Sequence, residues 1–459
     1  MAAPTKSKRN EVGDNNEIPT KLSSEEKSDI QLTSFLKWSG DNKFRMNLKV
    51  RVGKKGSCAQ YGMIAEDDIK EGECLFAVPR SILLHGETSS ISDLLKKEAD
   101  DLLSDSGWVP LLLSLMYEYN HPTSTWRPYL DLVPDFKELN LPMFWKSEER
   151  KSLLKGTGVD ESVTGDINLL TNDFNNVVLP FINKHPDIFL PICKDIEFYK
   201  KMVAFVMAYS FTETNLDESN TKAYTPMMVP MADILNSIAK NNAHLEFHPN
   251  VLKMVAVKDI SKGEEVFNSY GEPANGHLLQ MYGYAEEYPN NHNDTVEISN
   301  EALLKATKLL TDNTDKLLYE KLGVLQDMEA IDDENTLVIG KEGILTEDEC
   351  QQLIKVIFMS ESQFKDYVDK GGWSDADEDE DETNNMFSFA NIPSLSPDWK
   401  NLLSRAGEES LTRYKTTLEE DQKLSSQDIA SLPSHHKYSF YTAYGQKMLL
   451  KKLVDACNK

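Results

Sequence analysis

Three short stretches of the chain hold residue types able to do chemistry on a small polar ligand. The first, Ala59-Gln60-Tyr61-Gly62-Met63, sets a glycine among strand formers, where the missing side chain lets a ligand approach the main chain; a plain turn would use the same glycine. The second, Met228-Val229-Pro230-Met231-Ala232-Asp233-Ile234-Leu235-Asn236-Ser237, is apolar and Pro-led and ends in polar groups. Asp233 and Asn236 can face a ligand, and they can equally satisfy the backbone donors of a turn or helix start. The third, Phe267-Asn268-Ser269-Tyr270-Gly271, is followed by Asn275 and by Gln280-Met281-Tyr282-Gly283-Tyr284. It crowds three tyrosines beside glycines, and since each buried phenol demands a hydrogen-bond partner, Tyr270 and Tyr282 are candidates to line a site as well as a core.

The elements that must position these residues are legible in outline. Between Leu48 and Pro79 the pattern is β-type: Leu48-Lys49-Val50-Arg51-Val52 alternates, Tyr61-Gly62-Met63-Ile64-Ala65 follows, and Cys74-Leu75-Phe76-Ala77-Val78-Pro79 closes the block. The form I-x-x-G-E-x-x-F occurs at Ile69 to Phe76 and returns at Ile260 to Phe267, which predicts two turns joining strands in two similar β units. The intervening stretch is helical in pattern, with apolar faces over Pro110 to Met116 and Phe198 to Met207. A β fold with a helical insertion at about 85–225 is the expectation, spanning 31–295 after a flexible polar tail over 1–30. From 296 to 459 the pattern is all-α. Capping boxes are predicted at Thr346-Glu347-Asp348-Glu349 and Ser360-Glu361-Ser362-Gln363, with helical spacing at Leu411, Tyr414 and Leu418 and at Tyr441, Tyr444 and Met448. An acidic run over 375–382 is expected as a solvated loop.

Composition narrows the function classes. With 459 residues, 40% hydrophobic, the chain can build two or three compact units. Lys+Arg 49 against Asp+Glu 75 gives a net charge of -26, which argues against a direct nucleic-acid binder and favours a basic partner. The five cysteines show no C-x-x-C pair, so neither a disulfide framework nor a Cys-rich zinc site is expected. No stretch reaches 18 apolar residues and no signal core begins the chain, so neither a membrane segment nor secretion is expected; the Asn293-Asp294-Thr295 sequon is then accidental. The basic cluster Lys6-Ser7-Lys8-Arg9 is compatible with a nuclear address, the cytoplasm being the second compartment considered.

The three clusters match, in order and spacing, a known pattern. The chain resembles the SET-domain protein-lysine N-methyltransferases, in the branch related to the Rubisco large-subunit methyltransferase. The likeness runs from about Leu32 to the C-terminus and includes Ser106-Gly107-Trp108-Val109-Pro110, Trp126-Arg127-Pro128-Tyr129, Pro142-Met143-Phe144-Trp145, Met207-Ala208-Tyr209-Ser210-Phe211 and Tyr444-Gly445-Gln446-Lys447-Met448. It implies an α+β architecture, a split SET fold with a helical insertion and then an α-helical substrate-binding domain. It implies S-adenosylmethionine as methyl donor, held by Ala59, Gln60, Tyr61, Gly62, Tyr209, Asn236, Ser237 and Tyr282, with Tyr270 as the catalytic tyrosine. Trp108, Ser210 and Asp233 fall at substrate-contact positions, and no metal is implied. The implied partner is a protein with a target lysine, the RelA subunit of NF-kappa-B or, secondarily, a histone.

One residue departs from the family pattern: Ser237 stands where the relatives have His. If the imidazole holds the adenosyl part, cofactor affinity falls; if the backbone does the holding, little changes. The chemistry asks for a neutral amine in line with a sulfonium methyl. Free lysine has a pKa of about 10.4, so the neutral form at pH 7 costs roughly 4 to 5 kcal/mol unless the site disfavours the ammonium. An aromatic, desolvated channel beside a sulfonium charge does so. Two other readings compete: a catalytically silent SET-fold module that recruits a basic partner, and an acidic chaperone acting through residues 375–382.

Overall fold

The computed structural model describes residues 24–54, 61–132, 139–216, 222–310, 317–327, 337–370 and 385–459. The acidic run at 375–382, the basic cluster at 6–9, and Ala59 and Gln60 lie outside the described residues. Strands run in chain order as β1 (Arg45–Met46), β2 (Val50–Lys54), β3 (Tyr61–Ala65), β4 (Cys74–Pro79), β5 (Ser210–Leu216), β6 (Lys222–Met228), β7 (Ala243–Phe247), β8 (Val251–Ala256), β9 (Glu265–Val266), β10 (Val296–Ile298) and β11 (Leu337–Ile339). They form antiparallel sheets in the orders β1-β4-β8-β7 and β2-β3-β9, with β5-β6 and β10-β11 as two-stranded ribbons. The helices used below are α1 (Ser24–Asp41), α2 (Val109–Asn120), α3 (Val159–Asp173), α4 (Ile196–Tyr209), α5 (Asn275–Tyr282), α6 (Asn300–Leu310), α7 (Glu347–Ile357), α8 (Glu361–Asp369), α9 (Pro397–Leu411) and α10 (Ser434–Cys457).

The echoed motif is the keel of the β region. Its two copies face each other: Ile69 and Ile260 exchange both backbone hydrogen bonds, at 2.9 and 3.0 Å. Each glycine sits in the left-handed region, Gly72 at φ 82° and Gly263 at φ 88°, which side chains rarely adopt. Each glutamate closes its own turn, Glu73 accepting from the Lys70 amide and Glu264 from the Ser261 amide. Each aspartate caps the opposite copy: Asp68 accepts from the Lys262 amide at 3.0 Å and Asp259 from the Glu71 amide at 3.1 Å. The repeat is therefore a local pseudo-dyad that joins β4 and β8 of one sheet to β3 and β9 of the other.

Helices cover these sheets. In α2, Val109, Leu111, Leu112, Leu113, Leu115 and Met116 are all buried, the pattern of a helix enclosed on every side. With α4 it belongs to one core that runs from Phe35 to Val266. A second core begins at Val296 and takes in residues of α6, α7, α9 and α10. It is helical, with the short β10-β11 ribbon set against it.

Four expectations change. The tail over 1–30 ends earlier, because Ser24 to Ile30 form the first turns of α1; Phe35 anchors that helix in the core, and extending a formed helix costs little. The Ser360 capping box forms, whereas Thr346 lends its hydroxyl to the Val338 amide of β11 instead of its own helix. Helical spacing through Leu411, Tyr414 and Leu418 is broken: α9 stops at Leu411 and a separate turn starts at Leu418, capped by Thr417. The boundary near 225 falls inside the β5-β6 hairpin, whose alternation is hidden by polar residues.

Candidate functional site

The site is built where three chain segments cross. Residues 232–234 form a single 3-10 turn entered through Met231, a buried non-glycine residue at φ 81°. Such a conformation costs about 1 to 3 kcal/mol and persists where the surroundings over-determine it, often at functional sites. Beyond that turn, Ser237 bridges Asn268 in parallel, and the Asn268 amide donates to the Asn236 carbonyl at 2.9 Å. The Asn236 side chain, 4% exposed, reaches across: Nδ2 donates to the Tyr61 carbonyl at 3.1 Å and to Glu265 Oε1 at 2.6 Å. These two bonds tie β3 to β9 and cap neither a turn nor a helix start. Both amide hydrogens are committed, so Oδ1 and the main chain are what it can offer a ligand.

The tyrosines converge on this crossing. Tyr270 donates its hydroxyl to the Leu235 carbonyl at 3.1 Å, and its ring stacks on Tyr282 with centroids 4.5 Å apart and planes at 24°. Burial pushes the Tyr282 phenol up, so it stays a neutral hydroxyl. Tyr284 closes the far side by donating to the Ser237 carbonyl at 3.1 Å. Gly62 lies in β3 directly opposite Gly53 of β2, so at that point the ribbon carries no side chain.

Asp233 is the most unusual group. Its Oδ2 accepts from the Tyr129 hydroxyl at 2.5 Å, while Oδ1 is buried with no side-chain partner among the described residues. Burial raises its pKa to about 7, with the Tyr129 bond and the backbone amides of Asp233 and Met231 pulling the other way. Tyr129 stands close enough to Tyr209 for the two phenols to influence each other, and Tyr209 ends α4 with its ring 5.4 Å from that of Phe205. Ser210 follows as the first residue of β5, paired with Met228.

Of the residues singled out from the sequence, Asn236 is thus bonded to Tyr61, next to Gly62, and Tyr270 and Tyr282 stack on each other and reach this turn through the Leu235 carbonyl that precedes Asn236 and Ser237, while Asp233 and Tyr209 meet through Tyr129. Trp108 stands apart in this network. It leads into α2, and its amide is held by Ser106 Oγ, which in turn donates to Asp173; these bonds fix the turn. Three further participants are not among the site residues expected from the sequence. Ser28, placed by the sequence in the tail, bonds the Tyr61 hydroxyl at 2.8 Å. Tyr129 belongs to the Trp126-Arg127-Pro128-Tyr129 motif, which carries no site role of its own. Asn268 is 1% exposed, and neither Nδ2 nor Oδ1 has a partner among the described residues. Leaving such atoms buried and unbonded costs about 1 to 3 kcal/mol each, so the crossing holds polar capacity that its own fold does not use. That capacity suits a polar, partly cationic ligand and fits a donor such as S-adenosylmethionine with an amine acceptor.

Comparison with known proteins gives the same picture. Residues 60–271 match the SET domain and residues 312–450 the Rubisco LSMT substrate-binding domain. The chain is 43% identical to the N-lysine methyltransferase setd6 of Danio rerio, over 98% of both chains. It is 42% identical to N-lysine methyltransferase SETD6 of Homo sapiens, over 89% of this chain and 86% of that one. Among solved structures, the SET domain of LSMT bound to lysine and AdoHcy has a TM-score of 0.63 at 18% identity, covering 94% of this chain and 91% of its own. Rubisco LSMT bound to AdoMet has a TM-score of 0.61 at 17% identity, covering 93% and 91%. At those identities the structural likeness speaks for the fold.

Proposed function

The chain belongs to the SETD6 family of SET-domain N-lysine methyltransferases, and from that premise we propose how its crossing of segments does the work. It is an S-adenosylmethionine-dependent protein-lysine N-methyltransferase. When bound, the cofactor supplies an electrophilic methyl group on a sulfonium. Every other requirement falls to the chain: bind the donor, admit one lysine, strip its proton and water, and hold the nitrogen in line.

The main chain around Tyr61, Gly62, Asn236 and Ser237 holds the donor, with Ala59, Gln60, Tyr209 and Tyr282 completing its site. Support for backbone holding is local. The Ser237 carbonyl and its bridge to Asn268 are fixed by bonds that do not depend on an imidazole, so the serine in place of the family histidine leaves the frame intact. The stacked pair Tyr270 and Tyr282 forms the aromatic wall along which a lysine stem can lie. Tyr270, anchored through its hydroxyl to the Leu235 carbonyl, positions the amine and polarises the transfer region.

The observation that carries this reading is the buried Asp233 carboxylate in the 3-10 turn, whose one side-chain donor among the described residues is the Tyr129 hydroxyl. A buried carboxylate attracts the incoming ammonium, and a pKa of about 7 lets it exist in either protonation state near neutrality. Trp108 and Ser210 line the approach of the protein substrate. By resemblance the first candidate substrate is the RelA subunit of NF-kappa-B, with histones second, and the nucleus is the compartment in which to look; the net charge of -26 favours a basic partner.

The test is mass spectrometry of candidate proteins incubated with the purified chain and S-adenosylmethionine carrying an isotopically labelled methyl, alongside a thermal shift with the unlabelled donor. The expected result is a stabilised protein and label on lysine Nζ. No thermal shift at saturating donor would favour a silent binding module. A shift with no labelled lysine in RelA or histones would remove those substrates and leave the cofactor site standing.

A further inference from the structure

A cavity of about 240 Å3 opens between the loop that follows α5 and the helical C-terminal region. Its walls include Glu287 and Tyr288 from that loop, Asp421 from the short helix Leu418–Asp421, and Phe440, Tyr441 and Tyr444 from α10. The rings form a connected surface: Phe440 stacks on Tyr444 at 5.5 Å and 13°, and Tyr288 meets Tyr444 edge-on at 6.1 Å and 81°. All four are half-buried and reachable. Burial pushes the Tyr288 and Tyr441 phenols up, so these rings stay neutral.

Among the described residues the charged groups that line the cavity are acidic, and no Lys, Arg or His is among them. Asp421 is neutralised by the buried Lys447, which also donates to the Thr416 carbonyl and hydroxyl. Glu287, by contrast, is exposed, close enough to Tyr441 to raise its phenol, and makes no side-chain hydrogen bond or ion pair with a described residue. Aromatic faces carry negative charge density, and a free carboxylate at their rim favours a cation over a neutral or anionic group. The cavity also spans two parts of the molecule: α10 and Asp421 lie in the stretch matched to a substrate-binding domain, while Glu287 and Tyr288 come a few residues after Tyr282 and Tyr284 of the methyl-transfer site.

We propose that this cavity is a docking subsite for a lysine or arginine side chain of the protein substrate, distinct from the lysine that is methylated. The proposal rests on the methyltransferase reading and adds the way a basic segment is held in register while one of its lysines enters the transfer site. An aliphatic stem lies along Phe440 and Tyr444, and the charged head meets Tyr441, Tyr288 and the Glu287 carboxylate.

The test uses the full chain labelled with 3-fluorotyrosine, its fluorine resonances assigned by single Tyr→Phe changes. Nα-acetyl-argininamide is titrated against its uncharged isostere, Nα-acetyl-citrullinamide. Arginine is chosen because the transfer site acts on lysine. The expected result is movement of the Tyr288, Tyr441 and Tyr444 resonances with the arginine probe alone, with Tyr270 and Tyr282 unmoved. Glu287→Gln weakens the response, Tyr441→Leu abolishes it, and Tyr441→Phe retains most of it. In steady-state assays on any protein the wild-type chain methylates, Glu287→Gln and Tyr441→Leu raise KM about fivefold and leave kcat unchanged, the mark of binding equal in ground and transition states. No movement with the arginine probe, or equal movement with citrulline, overturns the subsite. An unchanged S-adenosylmethionine thermal shift in the same variants separates that outcome from failure of the methyltransferase reading.

Discussion

Asp233 shows how one side chain couples stability to function. Its folded pKa, about 7, lies above the ordinary carboxylate value, because burial disfavours the charged form. A raised pKa contributes stability that is fully present below the unfolded value and is lost as pH rises through the folded one. The free enzyme is therefore expected to lose stability between about pH 4 and pH 7 on account of this group. Asp233→Asn should flatten that part of the profile, measured as Tm against pH, and should raise KM for the protein substrate; an unaltered Tm profile would show that the carboxylate is not strained. Tyr129→Phe removes the only side-chain donor to Asp233 among the described residues and should cost about 1 to 3 kcal/mol in denaturant unfolding. At this scale the sequence was legible where residue type and spacing coincide, as at Tyr270 and Tyr282, which the sequence grouped in one cluster and whose rings stack on each other. It attached no site role to Tyr129, Ser28 or Asn268. Their importance comes from what burial leaves bonded or unbonded, and that depends on neighbours distant in the chain.

At the scale of elements, the paired turns of the echoed motif are the clearest case of sequence dictating geometry. Gly72 and Gly263 share a left-handed backbone, and a Cβ at either would meet nothing within 4 Å. Replacement by alanine is thus a matter of backbone conformation alone, and Gly72→Ala and Gly263→Ala should each cost about 1 to 2 kcal/mol, equal within error. A large difference between the two in urea unfolding would contradict the pseudo-dyad. The repeat announced two turns, and the structure adds that they cap each other through Asp68 and Asp259. Helix interiors were equally legible, since apolar spacing sets them. Helix ends were less so: the hydroxyl of Thr346 had a competing partner in β11, and only the folded chain decides which amide it serves.

At the scale of the whole molecule, α10 locks the C-terminal core onto the transfer site. A Cβ on Gly445 would lie 2.3 Å from Asp294 Oδ2, and Asp294 in turn accepts from the Asn275 amide, 3.0 Å away, at the start of α5. The next residue, Gln446, donates to the Thr157 carbonyl at 3.1 Å and accepts from Tyr414 at 3.0 Å. The Tyr444-Gly445-Gln446 motif, seen in the sequence only as a mark of resemblance, is thus a joint where a helix must come close. Gly445→Ala should lower stability by about 1 to 3 kcal/mol and broaden or split the thermal transition as the two cores uncouple; a wild-type melting curve would show that the joint is slack. The net charge of -26 adds a long-range effect: KM for a basic protein substrate should rise with ionic strength.

Methyl transfer from S-adenosylmethionine in Tyr270→Phe, set beside calorimetric titration of the donor into the same variant, bears on the mechanism more directly than any other experiment. The phenol hydroxyl is anchored at Leu235 and the ring on Tyr282, so removing one oxygen should leave the wall standing and the donor bound with wild-type affinity. Turnover on a protein substrate should fall by about tenfold or more. Wild-type turnover in that variant would take Tyr270 out of the transfer step and contradict the role assigned to the crossing of segments.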